Sequence, residues 1–143
     1  MPTRNASARW EGGLKGGKGR FEGESGGIGG AYSAGSRFAE EKGSNPEELL
    51  AAAEAACFSM ALSGALERNG TAPQWVETRA ACTVEKVGEG YKITTMKLAT
   101  RAKVPGIAEA DFRRIADGAK DGCPVSSALK GNVKIDLEAT LEK

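Results

Sequence analysis

The feature that most constrains this chain is a single long run of small and apolar residues. Between Leu49 and Leu66 the only charged side chain is Glu54. Helix-start signals precede the run: Asn45 suits the cap, Pro46 the first helical position, and Glu47 and Glu48 complement the positive end of the dipole. Gly70 offers a stop, so the pattern predicts a helix over residues 45–69. A helix apolar all round is buried on every side. A chain of 143 residues has difficulty covering such a helix alone, so a partner chain is expected on the remaining face. The run is Ala-rich rather than Leu-rich and marginal for a membrane span, which needs about 20 strongly apolar residues. No membrane association is expected.

The flanking segments read as strands and shorter helices. Eleven of the 20 glycines fall in residues 12–35, which predicts short strands joined by tight turns over residues 1–44. Ala6, Ala8 and Trp10 alternate there with polar neighbours. Residues 12–19 (GGLKGGKG) approach the phosphate-binding pattern G-x-x-x-x-G-K-[ST]. However, Gly19 takes the place of the metal-binding hydroxyl, and Arg20-Phe21-Glu22-Gly23 does not open a helix. A Gly-rich hairpin is expected instead. In residues 75–104, Val76, Thr78, Ala80, Cys82 and Val84 share one strand face, with Glu77, Arg79, Thr83 and Glu85 opposite. The apolar phase then changes between Ile93 and Met96, predicting a bulge near Thr94-Thr95. After the Pro105-Gly106 turn, Ala108, Phe112, Ile115, Ala116 and Ala119 form a helical stripe, and a short second helix follows Pro124, together covering residues 107–130. Val133, Ile135, Leu137, Ala139 and Leu141 close the chain as a strand over residues 132–142. This order predicts one α+β domain spanning residues 1–143.

Composition removes whole classes of chemistry. With no histidine, Ser-His-Asp and Cys-His catalysis and His-ligated zinc or haem are excluded. Twenty basic against 19 acidic residues give a net charge of +1, which makes no case for nucleic acid as a partner. The three cysteines, Cys57, Cys82 and Cys123, form no C-x-x-C pair and suit neither a disulfide framework nor a metal site. No signal peptide is visible at the N-terminus, so a cytoplasmic protein without metal or cofactor is expected. Its chemistry must come from thiols, carboxylates, arginine and lysine.

Local context ranks the cysteines. Cys82 sits on the apolar face of a strand and reads as core. Cys123 directly precedes Pro124 at a helix N-terminus, where the dipole and unpaired N–H groups favour a thiolate. Cys57 lies mid-helix, where desolvation raises its pKa and only a nearby cation could reverse that. Arg37, in Ser36-Arg37-Phe38, lies upstream and could fold back over the helix. Local features alone therefore favour Cys123 as the reactive thiol, and they read Glu47 and Glu48 as helix-dipole compensation.

Arg37-Phe38, Asn45-Pro46-Glu47-Glu48-Leu49, Ala55-Ala56-Cys57-Phe58-Ser59-Met60-Ala61 and Gly122-Cys123-Pro124-Val125-Ser126, in this order, resemble the OsmC/Ohr family of osmotically inducible and organic-hydroperoxide-resistance proteins. Trp10-Glu11-Gly12 and Val104-Pro105-Gly106-Ile107 extend the likeness over essentially the whole chain. Because the candidate arginine, Arg37, lies just before the helix, the chain is more similar to the OsmC branch; Arg9 and Arg20 rank lower. The resemblance implies an intertwined α+β homodimer, with long central helices flanked by antiparallel sheets. It implies a thiol peroxidase acting on organic hydroperoxides and less specifically on hydrogen peroxide. Cys57 would be peroxidatic, Cys123 resolving, and Arg37 with Glu47 would activate Cys57. An external dithiol, of dihydrolipoyl type, would reduce the Cys57–Cys123 disulfide. Phe58, Met60 and Phe38 would wall an alkyl-peroxide site. On role, this resemblance overrides the local ranking of the two thiols. The alternative is a non-enzymatic dimer that binds a small ligand and whose cysteines are core. Spacing adds a constraint: ten helical residues separate Glu47 from Cys57, about 15 Å of rise and roughly 80° of rotation. Either Arg37 spans that gap, the helix breaks, or Glu47 acts from a partner chain.

Overall fold

The computed structural model describes residues 1–143. It comprises two compact units, residues 1–49 and 50–143. In the first, strands β1 (Ala6–Glu11), β2 (Lys18–Gly23) and β3 (Gly29–Tyr32) form an antiparallel meander in the order β1-β2-β3. Gly19 pairs with both Trp10 and Tyr32 across this sheet. Lacking a side chain, it lets the two rings meet over it with centroids 5.4 Å apart; a Cβ there would lie 2.5 Å from the Tyr32 ring. Lys18 opens β2 and no helix follows, so residues 12–19 make a hairpin and not a phosphate loop.

Helix α1 (Ala34–Phe38) starts with a capping box in which Ser33 and Ser36 each bond the other's backbone N–H. The chain then returns to the sheet, where the Ser44 N–H donates to the Ala31 carbonyl at 2.9 Å. Helix α2 (Pro46–Arg68) begins in this unit and continues unbroken into the second.

In the second unit, β4 (Trp75–Val87) and β5 (Gly90–Lys103) form an antiparallel hairpin, and β6 (Lys134–Glu142) adds parallel to β5. Two parallel neighbours need a crossover. Helices α3 (Glu109–Gly122) and α4 (Pro124–Leu129) supply it. Thr83 pairs with Thr95 and Val84 with Ile93, so Thr94 is the extra residue of a bulge. That extra residue resets the alternation, leaving Met96, Leu98, Thr100 and Ala102 facing the core. Phe112, Ile115, Ala116 and Ala119 of α3 are buried, as their stripe predicts. From α2, Phe58, Leu62 and Leu66 are fully buried in the same core. A hydroxyl chain adds to the apolar packing: Ser59 donates to Thr78 at 2.8 Å, and Thr78 meets Thr100 at 2.9 Å.

The burial of α2 is one-sided. Ala52, Ala56 and Met60, four residues apart, and Ala53 beside them are exposed. Met60 alone is 77% accessible. One chain therefore buries a single face of a helix that is apolar all round.

Candidate active site

Two clusters of reactive side chains form, one in each unit. In the first unit, α1 carries Arg37 in its last turn and α2 carries Glu47 in its first. Asn45 ties the two together: its Oδ1 accepts from the Glu48 N–H at 2.8 Å, capping α2, while its Nδ2 donates to the Ser36 carbonyl at 3.1 Å. The Arg37 guanidinium then grips Glu47 with a fork, Nη2 to Oε1 at 2.7 Å and Nε to Oε2 at 3.1 Å. The Glu47 side chain is 7% exposed and that of Arg37 35%. A carboxylate so buried needs a partner, so the ion pair gives Glu47 a purpose beyond the helix dipole. The guanidinium also lies 5.1 Å from the centre of the Phe38 ring. Arg9 and Arg20 are differently placed. They face each other across β1 and β2, and Arg9 pairs with Glu11 on the exposed sheet surface.

In the second unit, Cys57 of α2 and Cys123 come together from positions 66 residues apart, with Sγ–Sγ 2.8 Å. Cys123 ends α3 and precedes α4, its φ of −67° and ψ of 125° breaking the helix as a residue before proline favours. It is fully buried, whereas Cys57 is partly exposed. Burial pushes the Cys57 thiol pKa up, the Cys123 thiol bonded to it adds to the rise, a hydrogen bond from the Val125 backbone lowers it, and the charges of Cys123 and Glu54 raise it again. The α4 amide effect that local sequence context assigns to Cys123 is thus directed at Cys57, because Val125 aims its N–H at the neighbouring sulfur.

Glu54 completes this cluster, and sequence reasoning passed over it. Fully buried, it sits one helical turn before Cys57 and accepts a short hydrogen bond from the Ser126 hydroxyl through Oε1. The Cys123 thiol approaches the same oxygen at 3.9 Å. The available signal was its solitude: a lone charge in an apolar run, three residues from a cysteine and so on the same helix face. Cys82, opposite Met96 on the inner face of β4, packs against the core as expected. Phe58 corrects an expectation: it is fully buried in the core and cannot wall a substrate site. Met60 and Phe38 are exposed.

Fold and thiol contact together define an α+β protein built around two apposed cysteines, one on a long apolar helix and one before a Cys-Pro helix start. The chain belongs to the OsmC family: the family model described as OsmC-like protein matches residues 39–138. It is 44% identical over 136 residues to the peroxiredoxin OsmC of Escherichia coli (strain K12), covering 94% of this chain and 95% of that protein. Identity to the organic hydroperoxide resistance protein OhrA of Bacillus subtilis (strain 168) is 32% over 102 residues, 68% of each chain. The solved organic hydroperoxide resistance protein of Elizabethkingia anophelis shares the fold at a TM-score of 0.76 and 23% identity, covering 99% of this chain and 98% of that one.

Proposed function

We propose that this chain is a cysteine-based peroxidase that reduces organic hydroperoxides, and hydrogen peroxide less specifically. The contact between Cys57 and Cys123 carries the reading, since two thiols this close can cycle through a disulfide without rearranging the fold. The relatives named as a peroxiredoxin and as an organic hydroperoxide resistance protein support it.

The Cys57 thiolate attacks the distal peroxide oxygen, the O–O bond breaks, and the alcohol leaves after taking up a proton. Cys57 becomes a sulfenic acid. Cys123 then displaces the hydroxyl to form the Cys57–Cys123 disulfide, and an external dithiol of dihydrolipoyl type restores both thiols by exchange. Partial exposure of Cys57 against full burial of Cys123 supports this division of roles. Within one chain the influences on Cys57 are mostly unfavourable to the thiolate, so a cation is required. Arg37, held by Glu47, supplies it, from the same chain or from a partner. The protein works as a homodimer joined through the exposed stripe of α2, in the reducing cytoplasm where thiols persist.

One equivalent of cumene hydroperoxide added to reduced protein tests the reading by thiol titration. Loss of two thiols, with a Cys57–Cys123 peptide in the non-reduced digest, is expected. Three unchanged thiols would overturn it in favour of a ligand-binding module.

A further inference from the structure

The cycle above leaves one buried reactive group unused. Glu54 is wholly removed from solvent, its Oε1 is clamped by the Ser126 hydroxyl, and its Oε2 is buried without a hydrogen-bond partner. A buried carboxylate with a vacant acceptor is costly and calls for a reason. The clamped oxygen is also the one that faces the Cys123 thiol, at 3.9 Å, while Cys123 touches Cys57. We infer that Glu54 is the proton carrier of the resolving step, a role that rests on the proposed Cys57–Cys123 disulfide.

The step balances without an added reagent. After peroxide reduction, Cys57 is a sulfenic acid and Cys123 a thiol. The Glu54 carboxylate takes the Cys123 proton as the Cys123 sulfur attacks the Cys57 sulfur. The Cys57 S–O bond breaks, and the hydroxyl departs with the bonding pair. It takes the proton from Glu54 and leaves as water. Cys123 is oxidised, Cys57 is reduced from sulfenic acid to disulfide, and Glu54 returns to a carboxylate. The arrangement suits a resolving thiol that is fully buried, where solvent has no direct access to remove the proton.

The same carboxylate opposes the first step, because its charge works against the Cys57 thiolate. The ionisable or polar groups that face the two sulfurs are Glu54 from α2, the Val125 N–H from α4, and each thiol for the other, with the Ser126 hydroxyl held on Glu54. Glu54→Gln therefore has opposite consequences for the two halves of the cycle, which a mere packing role would not produce.

The test is single-turnover kinetics with cumene hydroperoxide, following peroxide loss and disulfide closure separately and trapping sulfenic acid with dimedone. In Glu54→Gln, peroxide loss should be at least as fast as in the parent. Closure should fall about a hundredfold, within the range that a positioned acid–base group supplies, with the Cys57 sulfenic acid accumulating. Glu54→Asp should recover part of the rate. Ser126→Ala, which unclamps the carboxylate but keeps it, should slow closure alone; it carries the test if Glu54→Gln does not fold. Closure at the parental rate in Glu54→Gln or, where that variant does not fold, in Ser126→Ala overturns the inference, as does an equal slowing of both steps. A parent protein that never forms the Cys57–Cys123 disulfide removes the peroxidase cycle and this role together. One that forms it while Glu54→Gln closes normally removes only the role of Glu54.

Discussion

The role proposed for Cys57 depends on what packs on it, and most of that is invisible in a linear reading. The nearest sequence signal, the Cys123-Pro124 helix start, is real, but its amide at Val125 serves the other sulfur. Periodicity reports which face a residue lies on and not which neighbour a turn delivers to it. Cys57→Ser should abolish peroxide consumption, and Cys82→Ser should leave it near normal. Cys123→Ser should still consume one equivalent and leave a dimedone-reactive Cys57; reaction in Cys57→Ser but not in Cys123→Ser would reverse the roles. Arg37→Ala should lose rate at neutral pH and recover part of it as pH rises, since hydroxide substitutes for the cation in populating the thiolate. A small loss with an unchanged pH profile would send attention to Arg9 or Arg20.

Among the elements, those with strong local chemistry were legible. The alternation in β4, the stripe of α3 and the phase change that locates Thr94 each follow from side-chain period alone. The start of α2 was legible too, although the work of Asn45 was only half visible. As a cap it was expected; as the brace that fixes the end of α1, and with it Arg37 beside Glu47, it depends on a contact nine residues back in the chain. Asn45→Ala should cost about 1 kcal/mol from the lost cap. It should also lower activity more than that destabilisation explains, by loosening the Arg37–Glu47 fork. Asn45→Asp keeps the cap oxygen and loses the donor to Ser36, so its activity separates the two effects: a fully active Asp variant would make the brace irrelevant.

For the whole molecule, the decisive fact is that α2 is continuous from Pro46 to Arg68. A break between Glu47 and Cys57 is thereby removed, leaving Arg37 as a bridge or a partner chain as the donor. The exposed stripe of Ala52, Ala53, Ala56 and Met60 favours the partner, because small residues let two helices approach closely and bury the face that one chain leaves open. Two copies of α2 packed antiparallel about a two-fold axis would set the start of each helix alongside the middle of the other, and so each Glu47 near the other subunit's Cys57. Each active site would then draw on both chains. Subunits carrying Cys57→Ser and Glu47→Ala, co-expressed with different tags and purified as the mixed dimer, discriminate the arrangements. With shared sites, the mixed dimer has one site with both defects and one with neither, so activity should return to about half that of the parent dimer. Mixed dimers as inactive as both doubly mutant parents would place Glu47 on its own chain's cysteine, with Arg37 spanning the distance.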